Sequence, residues 1–160
     1  MAVTKEILEQ YSSMLTEKKE VENSIANLES QISKIQAILV SIENGESVKD
    51  KVRGGNGGLQ SFVIEGIPTA EYSRKKTEYQ AKMLRLNERQ ATLETLEADL
   101  ENILNEVEKY ILTLKDSRIR LIIRYKYIQN LSWAQVAKKI GGNNTEEGVK
   151  SAFHRFFKKN

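Results

Sequence analysis

Residues 131–160 read LSWAQVAKKIGGNNTEEGVKSAFHRFFKKN, and the spacing of apolar side chains in this stretch decides how the end of the chain folds. Ser132 stands where a helix begins: its hydroxyl can accept from the unpaired amides of a first turn, while Trp133, Val136, Ala137 and Ile140 fall on one face. Gly141 and Gly142 stop that segment. Thr145 can cap a second helix, with Glu146 and Glu147 in its positive first turn and Lys158 and Lys159 at its negative end. Val149, Ala152, Phe153 and Phe156 recur along it at helical spacing. Two such helices around a glycine-containing corner predict a helix-turn-helix, whose second helix is the one that enters the major groove of DNA.

Upstream, the pattern changes to long heptads. From Ile7 to Ile42, Tyr11, Met14, Val21, Ile25, Leu28, Ile32, Ile35 and Leu39 follow in steps of four and three, broken once at Lys18. A repeat averaging 3.5 residues predicts a coiled-coil helix about 54 Å long. Leu8, Leu15, Ile38 and Val40 widen its stripe, which predicts more than one neighbour. A second run starts near Pro68 and Thr69 and carries Tyr79, Met83, Leu86, Leu93, Leu100, Leu104, Val107, Ile111 and Leu114, with Leu96, Ile103 and Tyr110 as a parallel row. Two helices of similar length that cannot bury their stripes alone fold most simply as an antiparallel hairpin, with a dimer through the same stripes as the alternative.

The connection between them, about residues 45–68, holds six of the nine glycines. Leu59–Ile64 has the composition of a strand and can pair with Lys51–Arg53, so a small β-hairpin or glycine-rich tip is expected. The glycines lack the Lys-Ser/Thr of a phosphate loop. The bland reading of this tip is a chain reversal; the sharper one is a partner contact through Arg53, Phe62 and Ile64. The predicted architecture is therefore all-α: residues 1–115 as a long antiparallel coiled-coil hairpin with its tip, and residues 116–160 as a helix-turn-helix domain. Asp116 caps the first helix of that domain, which is expected to run from Ser117 to about Gln129, with Asn130 ending it. Arg120 and Arg124 lie on its polar side, within reach of either phosphate or Glu106 and Glu108.

Composition narrows the function. The net charge of +3 is unevenly spread: residues 1–115 carry 15 Lys/Arg against 19 Asp/Glu, and residues 116–160 carry 10 against 3. The C-terminal quarter is thus +7 and the remainder −4, a distribution that draws a polyanion to one end. With no cysteine and one histidine, no metal site or cofactor is expected, and the absence of disulfides fits a reducing cytoplasm. No apolar run approaches the roughly 18 residues of a membrane span, so no membrane partner is expected. No nucleophile and base stand at a recognisable spacing, and the scattered carboxylates suit solvated helix faces, so the chain reads as no enzyme.

Trp133, Phe153 and Phe156 are read as core. What remains for DNA is Glu147, Lys150, Ser151 and His154 on one side of the last helix, and Asn143, Asn144 and Thr145 at its N-terminus, where amides favour a phosphate. Lys150 can read a guanine edge or hold phosphate. Glu147 can accept from cytosine or serve only the helix dipole. Lys138, Lys139, Arg155 and Lys158 are assigned to the backbone.

The stretch DSRIRLIIRYKYIQNLSWAQVAKKIGG, at residues 116–142, followed by TEEGVKSAFHRFFKK, resembles the σ-factor region-4-like helix-turn-helix of small regulators in phages and prophages of Gram-positive bacteria, the ArpU-like late-gene regulators among them. Arg124 and Tyr125, Leu131 to Trp133, Val136 and Ala137, and Val149 and Lys150 before Arg155 and Phe156 carry the resemblance. VKDKVRGGNGG and GIPTAEYS with their long helices are similar to the N-terminal half of some of these proteins. The GGNN corner is longer than in ordinary region 4, and the other promoter-recognition segments of a complete σ factor are absent. The resemblance implies a sequence-specific transcriptional regulator in the host bacterial cytoplasm. Its partners would be double-stranded DNA, RNA polymerase or another transcription protein, and a second copy of itself. The alternatives are a small terminase-like DNA-packaging subunit and a coiled-coil protein-interaction module.

Overall fold

A computed structural model describes the backbone of residues 3–45, 50–53, 61–64 and 69–159. The described chain is overwhelmingly helical. α1 spans Lys5–Glu43, α2 Thr69–Thr113, α3 Ser117–Ile123, α4 Trp133–Ile140 and α5 Glu146–Lys159, and a π-helical turn covers Arg124–Ile128. None of these helices is long and apolar enough to cross a membrane. Two four-residue strands, β1 (Asp50–Arg53) and β2 (Ser61–Ile64), pair antiparallel with Asp50 opposite Ile64 and Arg53 opposite Ser61. The side chains of Arg53, Phe62 and Ile64 and residue Pro68 lie outside the described residues.

The chain forms two compact units, Met1–Val21 with Thr92–Asn160, and Glu22–Ala91. In the second unit Ile32, Ile35 and Ile42 of α1 and Leu86 of α2 are buried. The Tyr72 hydroxyl donates to Glu43 and the Lys82 ammonium to Gln31 at 2.6 Å, so positions rise along one helix as they fall along the other. Ile38 and Val40, expected to widen the buried stripe, are exposed instead, as is Leu84.

The first unit is organised differently from the expected domain ending at Lys115. Its core joins Val3, just before α1, and Leu8 of α1, Val107 and Ile111 of α2, Ile119, Ile122 and Ile123 of α3, Tyr127, Val136 and Ala137, and Val149 and Phe153 of α5. Leu8, expected at the edge of a stripe, is fully enclosed, as are Ile111, Ile122 and Ile123. Each such side chain contributes about 1.5–3 kcal/mol by leaving water. The C-terminal helices therefore do not fill a core of their own. They close it with the first turns of α1 and the last turns of α2. Sequence periodicity identifies which side of a helix is apolar, but not which distant helix will cover it. Lys18 and Glu97, 2.8 Å apart, pair across α1 and α2 within this same unit.

Asp116 caps α3 by accepting from the amides of Arg118 at 2.9 Å and Ile119 at 3.3 Å. The helix expected to run to about Gln129 changes pitch after Ile123. The Gln129 amide reaches back to the Arg124 carbonyl at 2.9 Å, a five-residue step that defines the π turn. Asn130, with φ of 51°, then reverses the chain in the left-handed region, and the Ser12 hydroxyl of α1 donates to its Oδ1 at 2.9 Å. The Arg120 guanidinium donates to the Leu114 carbonyl at 2.8 Å and ties the end of α2 to α3.

Replacing Leu8 by Ala is expected to destabilise the first unit by about 2–5 kcal/mol. Trp133, the sole tryptophan, lies more than a hundred positions away in sequence, so its fluorescence should report the loss as an earlier urea-unfolding transition.

Candidate nucleic-acid interface

α4 begins on a reciprocal cap: the Ser132 hydroxyl accepts the Gln135 amide at 3.2 Å, and the Ser132 amide donates to the Gln135 side chain at 2.8 Å. It ends at Gly141, whose φ of 79° and ψ of −171° belong to a region essentially restricted to glycine. Gly142 follows at φ of 65°. Thr145 caps α5, its hydroxyl accepting the Gly148 amide at 3.1 Å. Val136 of α4 and Val149 and Phe153 of α5 are fully enclosed. Phe153 is the pivot: its ring centre lies 5.3 Å from Tyr127, 5.5 Å from Trp133 and 4.8 Å from Phe157. Burial, and secondarily the negative charge of Glu9, push the Tyr127 phenol well above its ordinary range.

The residues expected to meet DNA separate into two groups. Lys138, Asn143, Thr145, Glu147, Lys150, His154, Arg155 and Lys158 are exposed, and Ser151 is half-buried. Lys150 and Lys158 have no ion-pair partner among the described residues. Two others are engaged by neighbouring groups, Lys139 while still exposed. Asn144 donates to the Gly141 carbonyl at 2.6 Å and accepts from the Arg118 guanidinium at 2.6 Å, so it braces the corner instead of offering a free amide. Lys139 lies 4.6 Å from the centre of the Tyr125 ring and donates to Gln129. The Thr145 hydroxyl is engaged by its cap, and the Arg155 guanidinium rests on the Ser151 carbonyl at 3.3 Å.

Trp133 is half-buried against Phe153, and the Lys126 ammonium sits 5.3 Å from its ring centre while donating to the Leu131 carbonyl at 3.1 Å. Sequence reasoning passed over Arg118 and Lys126, because nothing in their spacing announces that one braces a corner and the other covers a ring. It also gave no sign that α1 approaches α5. Lys150 and His154 line an open groove with Glu9, Ser12 and Ser13 of α1. His154 lines a second groove with Lys5 and Glu6. Among the described residues no group of His, Asp or Glu could hold a metal ion.

No family model matches the chain, and neither a curated protein nor a solved structure matches it.

Replacing Gly141 by Ala forces a side chain into a strained backbone conformation and is expected to destabilise the unit by about 1–3 kcal/mol in chemical denaturation. Removing the α4 cap with Ser132→Ala should cost about 1 kcal/mol in the same assay.

Proposed function

We propose that the chain is a sequence-specific DNA-binding protein, a transcriptional regulator of the phage or prophage type, acting in the cytoplasm of a bacterial host without cofactor or catalysis. α4 and α5 act as a helix-turn-helix, with α5 as the helix that enters the major groove. The observation that carries this reading is the sorting of side chains on α5. Val149 and Phe153 are fully enclosed, while Glu147, Lys150, His154, Arg155 and Lys158 are left to solvent within residues 116–160, whose net charge is +7. Along the groove, Lys150 offers a cation to a guanine edge or to a flanking phosphate and Glu147 an acceptor to cytosine, with Ser151 and His154 beside them. Lys138, Arg155 and Lys158 serve the phosphates and set register. α1 and α2 act as an antiparallel coiled-coil hairpin that spaces DNA-binding heads in an oligomer or offers a surface to the transcription machinery.

Binding to a duplex selected from a random pool should weaken steeply with salt, because each neutralised phosphate releases counterions, with a slope in log–log form of about −0.9 per phosphate. Affinity indifferent to salt would remove the phosphate-dominated interface. Lys150→Ala should lower affinity for the selected duplex while leaving the melting temperature unchanged; an equal loss of fold would mean that Lys150 is structural.

A further inference from the structure

We propose that the trough between α1 and α5 is a binding site for the sugar–phosphate backbone of the duplex, so that residues at the start of the chain take part in the DNA contact. This rests on the reading of α5 as the groove-entering helix.

The trough is built from two openings. One, of about 630 Å3, is lined by Lys5, Glu6, Tyr110, His154 and Lys158 among others. The other, of about 420 Å3, is lined by Glu9, Ser12, Ser13, Lys126, Lys150 and His154 among others. His154 lines both, which makes them neighbouring parts of one depression. From Lys5 to Ser13 on one wall, the facing residues of α5 run from Lys158 back to Lys150, so the helices border it in opposite chain directions. Four lysines line it against two glutamates. Glu9 is paired with Lys5 at 3.0 Å, whereas Lys150 and Lys158 have no such partner among the described residues.

A helix with its side chains is about 10–12 Å across, and the major groove is about 12 Å wide. A helix seated there therefore has a ridge of phosphates along each flank. On the flank of α5 that carries Lys150, His154 and Lys158, the space such a ridge would take is the trough. Its far wall is α1. That wall is fixed, because Leu8 is fully enclosed, Tyr11 is 5% exposed and Ser12 is bonded to Asn130. Swinging α1 away would open the core around Val107 and Ile111. The backbone ridge thus has to lie within the trough, where Lys150 and Lys158 meet phosphate from one side. Lys5 and the Ser13 hydroxyl, now turned to the Glu9 carbonyl at 3.1 Å, meet it from the other. Glu9 stands against the incoming charge and lowers the affinity.

Fluorescence anisotropy of the full chain on a duplex selected from a random pool tests this through α1 alone. Ser13→Glu, which sets a negative charge in the trough, should weaken binding by about tenfold, and the neutral Ser13→Gln, which loses the hydroxyl but adds no charge, should weaken it by clearly less than that. Glu9→Gln, which removes a repelling charge and frees Lys5, should tighten binding by about threefold or more, a gain that damage to the fold would not produce. If Ser13→Glu and Glu9→Gln both leave affinity within about twofold while Lys150→Ala weakens it, the helix-turn-helix reading stands and the trough is not a backbone site. If a polyglutamate peptide displaces the duplex at a comparable concentration, the trough takes anionic chains at large and the assignment to duplex backbone is overturned. If the unaltered chain selects no duplex, the proposed function itself fails and this site falls with it.

Discussion

The enclosure of Phe153 is the constraint on which the packing of the C-terminal helices depends. One ring of α5 packs against Tyr127 from the π turn, Trp133 from the first turn of α4 and Phe157 one turn further along α5. Because that side chain has a single place to go, the rotation of α5 about its own axis is settled, and with it the choice of side chains that reach solvent. A helix held by one stripe of apolar contacts rolls if the stripe is loosely packed. Close packing on three aromatic neighbours removes that freedom, and interiors of this density tolerate little displacement. Lys150, His154 and Lys158 point outward because Val149 and Phe153 point in.

The corner before α5 is held by polar contacts, and this explains why some apparent ligand residues are not free. The amides and carbonyls at a helix end need partners. Here Asn144 supplies one to Gly141 and takes one from Arg118, while Thr145 satisfies the Gly148 amide. A side chain spent on its own backbone is a poor candidate for phosphate. Lys139 and Lys126 are partly spent in the same way, over the rings of Tyr125 and Trp133. The cationic character of the C-terminal quarter is thus divided between side chains that stabilise the unit and those left to solvent. Composition alone does not make that division.

The first unit is closed by residues from the two ends of the chain. Val3 and Leu8 share one core with Val149 and Phe153, and Ser12 bonds to the residue that turns the chain into α4. The division expected after Lys115 followed the shift in charge and the change from heptads to short helices, and both changes are real. They mark a change in local pattern, whereas a compact unit is defined by which surfaces cover one another. Leu8 reads as a residue beside a coiled-coil seam because its covering partners, at the far end of the chain, leave no trace in the neighbouring sequence.

Much of the local structure is therefore legible in the order of residues alone. The caps at Asp116, Ser132 and Thr145, the stop at Gly141 and the apolar rows of α4 and α5 follow from short-range chemistry, since hydrogen bonds to helix ends and side-chain periodicity involve residues three or four apart. The charge split is likewise compositional. What only the tertiary structure decides is how these pieces meet. The π turn, the engagement of Asn144 by Arg118 and of Lys139 by Tyr125 and Gln129, the exposure of Ile38 and Val40, and the trough between α1 and α5 all depend on how the folded chain packs. Hydrophobic burial has no direction along the chain and is satisfied by whichever apolar face arrives, so the partner of each stripe is fixed by the packed whole.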